Sequence, residues 1–289
     1  MTLAGRNAII TGASQGLGAE IARRLVAAGV SVLLCARGAE TLEVVRAELT
    51  TLAAPQQRVL AQAADIASPL DVAALFALAE AAFPRLDILV NNAGIHGPIG
   101  RFEETSLDAW GKALSVNLLG TARCCQAALP GMRRAGGGKI INLAGGGATS
   151  PMPGMSAYAA SKAALVRLTE TLALENADAG IDINAVAPGA MATRLIDEVV
   201  AAGPERVGIE YHARMVKLRD EGGTPLSVGA ELCVFLASAA SDGITGKLIS
   251  APWDRWRDWP AHLDELRRSD VFTLRRITGR ERAMPWGDA

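Results

Sequence analysis

The sequence has few of the features that mark a metal-binding or membrane-bound protein. It contains four cysteines in 289 residues, and they form no CxxC pair and no Cys/His cluster. Zinc sites need such spacings, so we expect no metal site and interpret the cysteines as reduced packing groups. No apolar run reaches the ~18 residues that a membrane helix needs, so we expect no membrane partner. The cysteines are Cys35, Cys124, Cys125 and Cys233.

An excess of charge of one sign is also missing. The 29 Lys and Arg residues nearly balance the 30 Asp and Glu residues, which leaves a formal net charge of −1. No overall field therefore draws the chain to nucleic acid. Residues 1–5 lack the charged and apolar regions of a signal peptide, and they lead directly into a strand-like segment. These observations predict a cytoplasmic protein with no nucleic-acid partner.

What the sequence does have is a regular alternation of apolar runs and helix-like segments. Half of the residues are hydrophobic, which is enough for a sizeable core. The apolar runs do not alternate with polar residues, as expected when helices cover both faces of a parallel sheet. The pattern predicts one α/β domain with a doubly wound parallel sheet, a Rossmann fold. The predicted strands are 7–11, 30–35, 58–62, 88–90, 139–143, 181–187 and 244–250, and the predicted helices are 16–28, 39–52, 69–83, 107–134 and 156–177.

Two segments interrupt this alternation. Residues 190–225 are polar, have glycines and prolines near their ends, and are helix-compatible over 205–220. We interpret them as a movable flap over a site in the catalytic domain, residues 1–250. The C-terminal extension, residues 251–289, packs on its own subunit or a neighbouring one, walls the substrate pocket, or does both. Its tryptophans are Trp253, Trp256, Trp259 and Trp286.

A glycine-rich segment, TGASQGLG over residues 11–18, joins the first strand to the first helix. Gly12, Gly16 and Gly18 let the backbone approach a pyrophosphate, and the N-terminus of the following helix favours its charge. A glycine pattern alone also fits an ordinary turn. The strand before it and the helix after it favour a dinucleotide-binding loop.

The order of the motifs resembles the short-chain dehydrogenase/reductase family over roughly residues 5–250. The loop TGxxxGxG is followed by Asp65, by NNAG at 91–94, by Asn117, by YAASK at 158–162, and by a Pro-Gly pair at 188–189. The resemblance implies an NAD(P)-dependent oxidoreductase that transfers a hydride between nicotinamide and a small carbonyl or secondary-alcohol substrate. It also implies cofactor contacts by Gly12, Ser14, Gly16, Leu17, Gly18, Asp65, Ile66, Asn91, Ala93, Gly94, Tyr158, Lys162, Pro188, Gly189 and Thr193.

The end of the second strand favours NADP over NAD. An acidic residue there would bind the ribose 2′-hydroxyl and repel a 2′-phosphate. This chain instead has Ala36, where NAD-preferring members of the family carry Asp, followed by Arg37. An arginine pairs with phosphate through its planar fork, and Ser14 adds a hydroxyl. Many NADP-preferring relatives have a second basic residue where Gln15 stands, so NAD remains an alternative.

The predicted reacting centre is Tyr158 with Lys162. Four residues separate them, so both lie on the same face of one helix. We expect the ammonium group and the nicotinamide cation to lower the phenol pKa from about 10, which makes Tyr158 a general acid/base. By resemblance, Lys162 also holds the nicotinamide ribose, and Asn117 holds a water that links Lys162 to solvent.

One position departs from the family. The family usually has a catalytic Ser thirteen residues before the Tyr, and here that residue is Gly145. Another hydroxyl, from Thr149, Ser150 or Ser156, can replace it. Alternatively, a polar group of the substrate or a backbone N–H of the triple-glycine run polarises the substrate oxygen in its place. A third possibility is that hydride transfer is slow or lost. Because losing such a donor costs about 3 kcal/mol, we expect Gly145→Ser to change turnover little or raise it.

Further residues are candidates for substrate contact. His96 directly follows the NNAG motif and is either a substrate contact or structural, and Tyr211 and His212 of the flap contact substrate on closure. The helix of Tyr158 is apolar on more than one face, which predicts a homo-oligomer, a dimer or tetramer. Alternative functions are a cofactor-bound non-redox protein, such as a dinucleotide sensor, or a lyase or isomerase that reuses the Tyr/Lys pair.

Overall fold

The computed structural model of the chain describes residues 3–284. Its seven strands form one parallel sheet in the order β3-β2-β1-β4-β5-β6-β7. Parallel neighbours need crossover connections, and helices supply these on both faces of the sheet. The predicted fold class is confirmed. The strands are β1 Asn7–Thr11, β2 Ser31–Ala36, β3 Val59–Ala63, β4 Ile88–Asn91, β5 Gly138–Leu143, β6 Ile181–Ala187 and β7 Leu248–Ser250.

The helices follow the predicted segments and add three that the sequence pattern did not indicate. The polar segment after β6 contains α7 and a helical region split in two by Gly208, whose φ is +88°. A buried helix, α10, connects this flap to β7. The helices are α1 Gly16–Ala27, α2 Ala39–Leu52, α3 Pro69–Ala82, α4 Leu107–Leu114, α5 Thr121–Arg134, α6 Ser156–Glu175, α7 Arg194–Ala202, α8 Pro204–Val207, α9 Ile209–Glu221, α10 Leu226–Ala237 and α11 Leu263–Arg268.

The central strands are apolar throughout because both faces of the sheet are covered. Every residue of β1 and β2 is buried. Successive side chains point to opposite faces, so Ile9 and Leu33 pack in one hydrophobic cluster while Ile10 and Leu34 pack in the other. This double covering explains why the sequence shows no apolar/polar alternation. All four cysteines are buried and free, as predicted for packing groups.

The functional edge of the sheet follows from the strand order. β1 pairs with β2 on one side and with β4 on the other, so the chain reverses its direction of winding at β1. Crossover connections therefore leave in opposite directions from this point and open a crevice at the carboxyl ends of the strands. Gly12 and Asn92, the residues directly after β1 and β4, border that crevice.

The predicted long helix over 107–134 contains an irregular segment. Residues 115–120, between α4 and α5, form a π-helix, with Asn117 buried in it. A wider turn of this type is common at functional sites. Apolar periodicity does not reveal it, because the segment keeps a helical pattern of burial.

The C-terminal extension packs on its own chain. Trp256 and Trp259 are buried in the main core, and the Trp256 ring lies 5.0 Å from that of Phe235. Trp253 is 84% exposed and borders the large cavity described below, so both interpretations of the tryptophans hold in part. Trp286 lies outside the described residues. No helix within residues 3–284 is long and apolar enough to cross a membrane. The cytoplasmic location and the domain boundaries remain predictions.

Candidate active site

A cavity of about 1460 Å³ runs along the carboxyl ends of the strands. Single-ligand pockets are about 300–1,000 Å³, so this cavity has room for a cofactor and a substrate side by side. Fourteen predicted site residues border it. They are Gly12, Ser14, Gly16, Leu17, Arg37, Asp65, Ile66, Ala93, Gly94, Tyr158, Lys162, Pro188, Gly189 and Thr193.

The prediction that Asn91 lines the cleft is wrong. Asn91 is the last residue of β4 and is only 2% exposed, and its Nδ2 donates to Asn142 Oδ1 at 2.9 Å on the neighbouring strand. The next residue, Asn92, borders the cavity instead. Its Nδ2 donates to the carbonyls of Thr11 and Gly12 at 3.1 and 3.0 Å, which ties β4 to the glycine-rich loop.

The glycines of the loop have different tasks. A Cβ on Gly18 would lie 2.2 Å from the Gly12 carbonyl oxygen, so Gly18 allows α1 to pack against the loop. Gly18 does not border the cavity, in contrast to the prediction that it contacts the cofactor. Gly16 has a φ of +55°, and a Cβ there would meet only the Thr193 Cγ2 atom, at 3.9 Å. Gly16 is therefore the glycine that keeps the cavity open at the start of α1.

The N-terminus of α1 is suited to an anion. The residue before the helix, Gln15, makes no capping hydrogen bond through its side chain, and the first turn contains no acidic residue. The free N–H groups and the positive end of the helix dipole both favour negative charge. The loop and helix together therefore fit the pyrophosphate of a dinucleotide.

Arg37 lies at the other end of this subsite, directly after β2. It is exposed and borders the cavity together with Ser14. Within residues 3–284, its guanidinium has no hydrogen-bond or ion-pair partner. A free guanidinium at this place is available for an additional phosphate group.

Tyr158 and Lys162 both border the cavity from α6, as their spacing predicts. Lys162 Nζ donates to the Leu143 carbonyl oxygen at 2.6 Å and lies 5.7 Å from the centroid of the Tyr158 ring. Burial raises the pKa of Tyr158 to about 12 and lowers the pKa of Lys162 to about 8. In the protein alone, burial is the largest influence on the phenol pKa. The expectation that the ammonium group and the nicotinamide cation together lower this pKa stays a prediction.

Asn117 does not face the cavity. Its Oδ1 accepts from the Ile95 N–H at 2.9 Å, and its Nδ2 donates to the Ile95 carbonyl and to Ser161 Oγ at 2.8 and 2.9 Å. The side chain therefore joins the loop after β4 to the helix of Tyr158. The water link from Asn117 to Lys162 stays a prediction.

The backbone at Gly145 lies against the phenol. A Cβ at this residue would be 2.7 Å from Tyr158 Oη, and its φ of +156° is unfavourable for other residues. Thr149 and Ser150 border the cavity, whereas Ser156 does not and instead accepts from Trp110 Nε1 at 3.2 Å. Ser156 is therefore excluded as the replacement hydroxyl. Within the described part of the chain, the N–H of Gly145 has no acceptor, so the backbone alternative stays open.

The cavity beyond Tyr158 has a mainly apolar wall that the sequence analysis did not identify. Met155, Val207 and Met215 form a buried cluster with partly buried residues of α7 and α9. Of the two flap candidates, Tyr211 borders the cavity, whereas His212 points away and contacts the Val200 carbonyl at 3.0 Å. The wall comes from three separate segments, so no single stretch of sequence reveals it.

Comparison with known proteins places this fold and site in one family. A family model described as short chain dehydrogenase matches residues 6–203. An L-fucose dehydrogenase of Oryctolagus cuniculus is 37% identical over 242 residues, which cover 82% of this chain and 81% of the relative. The chain therefore belongs to the short-chain dehydrogenase family.

Solved structures connect this family membership with the cofactor. A xylitol dehydrogenase with bound NAD+ has a TM-score of 0.78 at 26% identity, covering 86% of this chain and 98% of its own. An L-sorbose reductase of Gluconobacter frateurii, in complex with NADPH and L-sorbose, has a TM-score of 0.77 at 29% identity, covering 86% and 96%. The chain is a nicotinamide-dependent oxidoreductase acting on CH–OH or C=O groups. Nothing in its fold, site or relatives favours the non-redox or lyase alternatives.

Proposed function

We propose that this oxidoreductase transfers a hydride between NADP(H) and a small secondary alcohol or ketone, with Tyr158 as the general acid/base. The observation that carries the proposal is the continuity of one cavity. It extends from the uncapped N-terminus of α1 and the free Arg37, past Lys162, to the Tyr158 hydroxyl. A dinucleotide along this path brings its reactive end beside the phenol, and the mainly apolar wall leaves room for a substrate.

The reacting residues have distinct tasks. The bound nicotinamide supplies or accepts the hydride. Tyr158 Oη gives a proton to the substrate oxygen during ketone reduction and takes it back during alcohol oxidation. Lys162, whose pKa burial lowers to about 8, remains mostly protonated near neutral pH, and its charge together with that of an oxidised nicotinamide favours the phenolate form. The close approach of Gly145 to the phenol excludes water from one side of the hydroxyl.

The test of this function is a redox assay paired with removal of the phenol. NADPH absorbance should fall with ketones, and NADP+ should be reduced with secondary alcohols. Tyr158→Phe keeps the ring but removes the proton, so kcat should fall by about 10²–10⁴-fold. A fluorescence titration should give an unchanged Kd for NADPH in the variant.

Three results would contradict the proposal. Turnover by Tyr158→Phe at the wild-type rate would exclude the acid/base role. NADPH binding without any redox turnover would favour a sensor. Product formation without net change in the cofactor would favour a lyase or isomerase.

A second copy of the chain is the partner that we propose. Residues of α5, α6 and the π-helical segment line an apolar groove that contains Leu168 and Leu172. Leu119 is 47% exposed at this groove. An exposed apolar surface on the helix that carries Tyr158 supports pairing of two such helices in a dimer or tetramer.

A further inference from the structure

His96 is a buried polar side chain that the mechanism above does not use. It lies in the loop after β4, is 5% exposed, and its ring lies edge-on to the Tyr158 ring with 5.0 Å between centroids. It borders the cavity. Within residues 3–284, neither ring nitrogen makes an aligned hydrogen bond, and Nδ1 is sealed from solvent whereas Nε2 is not. Nε2 is thus a solvent-accessible hydrogen-bonding atom on a residue that borders the cavity.

Glu198 of the flap stands behind the imidazole. Its Oε2 lies 3.4 Å from His96 Nδ1, and its side chain also forms an ion pair with Arg194. The nearby imidazole, with a smaller effect of Arg194, lowers the pKa of Glu198, so the group is a carboxylate at neutral pH. A carboxylate in this position favours a proton on Nδ1 and leaves Nε2 free to bind a ligand.

The substrate oxygen needs a second partner besides Tyr158. Gly145 offers no hydroxyl and Ser156 is engaged with Trp110, which leaves Thr149, Ser150, the Gly145 N–H and His96 at the cavity. Of these, the His96 ring packs edge-on against the Tyr158 ring. The His96 ring packs against the Tyr158 ring, and Glu198 lies next to its Nδ1. Its Nε2 has no hydrogen-bond partner within residues 3–284, and the residue borders the cavity. We propose that His96 Nε2 is the second hydrogen-bonding group for the substrate oxygen in the reaction proposed above, and that Glu198 positions it. The inference rests on that proposed function.

The exchange of protons is balanced. In its doubly protonated form, with Nδ1–H directed at the Glu198 carboxylate, His96 donates a hydrogen bond from Nε2–H to the oxygen of the alcohol and of the ketone alike. In both directions His96 keeps its own protons, and the transferred proton moves between Tyr158 and the substrate oxygen. Because Glu198 lies on α7, the flap supplies the group that positions His96. The 3.4 Å separation is typical of a contact that shortens once ligand is bound.

The experiment compares two substitutions of His96, using the ketone that the wild-type enzyme reduces fastest. His96→Phe keeps a ring against Tyr158 but removes both nitrogens, so kcat/KM should fall by about 10²-fold. His96→Gln keeps a hydrogen-bonding amide and should remain within about tenfold of wild type. The Kd for NADPH should be the same in all three proteins.

Glu198 is tested as a positioning residue through a double-mutant cycle. Glu198→Gln keeps an acceptor for Nδ1–H and should retain most of kcat, whereas Glu198→Leu should lower kcat by about tenfold. In the His96→Phe background, Glu198→Leu should have no further effect, because the residue that it positions is gone. A purely structural role in the flap would lower kcat equally in both backgrounds.

The outcomes separate the two proposals. If His96→Phe reduces the ketone within about threefold of wild type, the role of His96 is excluded while the proposed function stands. If the two substitutions are additive, the positioning role of Glu198 is excluded. If the wild-type enzyme transfers no hydride to any ketone or alcohol, the proposed function falls and the role of His96 falls with it.

Discussion

At the scale of single residues, burial and backbone geometry decide the chemistry more than residue type does. Tyr158 and Lys162 are the expected pair, but in the protein alone burial raises the pKa of Tyr158 and lowers the pKa of Lys162. Both shifts favour the uncharged forms. Lowering the phenol pKa therefore needs an additional positive charge in the cavity, such as that of an oxidised nicotinamide. Cofactor binding and activation of the phenol are consequently coupled in this site.

The cofactor preference depends on Arg37. Arg37→Met keeps the length of the side chain but removes the charge that would pair with a 2′-phosphate. Losing one charge-assisted hydrogen bond should raise the Kd for NADPH by about 10–100-fold. The Kd for NADH should not change.

A fluorescence titration with each cofactor measures both constants. Arg276→Met, which removes an exposed arginine of the C-terminal extension, is the matched control. Equal weakening of NADPH and NADH binding in Arg37→Met would show that Arg37 does not discriminate between the two.

The structure reverses the expectation for Gly145→Ser. A side chain at this residue requires an unfavourable φ of +156°, and its Cβ would lie 2.7 Å from Tyr158 Oη. The added group therefore displaces the phenol instead of assisting it. We expect kcat to fall by at least about tenfold, in line with the cost of displacing one catalytic group by a fraction of an ångström. Steady-state kinetics with NADPH measures the effect, and a rate at or above that of wild type would refute it.

At the scale of elements, the contact between α1 and the glycine-rich loop fixes the cofactor subsite. Gly18→Ala would place a methyl group 2.2 Å from the Gly12 carbonyl oxygen and 2.4 Å from Asn92 Nδ2. We expect a loss of about 1–3 kcal/mol in the free energy of unfolding, together with weaker NADPH binding.

Denaturant unfolding and cofactor titration test this prediction. The matched control is Gly131→Ala in α5, where a Cβ meets only the Arg134 Nη2 atom, at 3.9 Å. Because alanine favours a helix over glycine, this variant should be about 0.5–1 kcal/mol more stable. The close-packing explanation fails if Gly18→Ala is as stable as wild type.

The flap is the element in which local sequence gave the least information. Its three helices, α7, α8 and α9, are separated by Gly203 and Gly208, which have φ values of +84° and +88°. Helix α7 has 9 residues, which is shorter than the window of about 11–18 residues over which helical periodicity is recognised. The flap is held over the cavity by the buried cluster in which its residues Val199, Val207 and Met215 pack together with Met155.

At the scale of the whole molecule, the groove between α5 and α6 predicts self-association. Leu119→Glu places a charge on this exposed surface and should lower the molar mass measured by light scattering at micromolar concentration. Leu70→Glu, at an 82% exposed leucine at the start of α3, should leave the mass of the oligomer unchanged. A wild-type protein that elutes as a monomer would contradict the proposal.

Local sequence patterns were enough to predict the sheet, the crossover helices and a site at the carboxyl ends of the strands. These depend on patterns within about twenty residues, such as continuous apolar strands, the loop before α1 and the spacing of Tyr158 and Lys162. The same patterns led to Arg37 and to the missing hydroxyl at Gly145. Local patterns also placed Asn91, Gly18 and Asn117 in the site, but these three residues do not border the cavity.

The groups that surround Tyr158 and Lys162 could be identified from the three-dimensional packing but not from the sequence pattern. His96 and Glu198 are about one hundred residues apart, and the apolar wall of the cavity comes from three segments. No single stretch of sequence therefore shows that pair or that wall. The structure also decided the pKa values of the pair, because desolvation depends on everything packed around a group and not on its sequence neighbours. Short-range pattern therefore fixes the scaffold, and long-range packing fixes the chemistry that the scaffold holds.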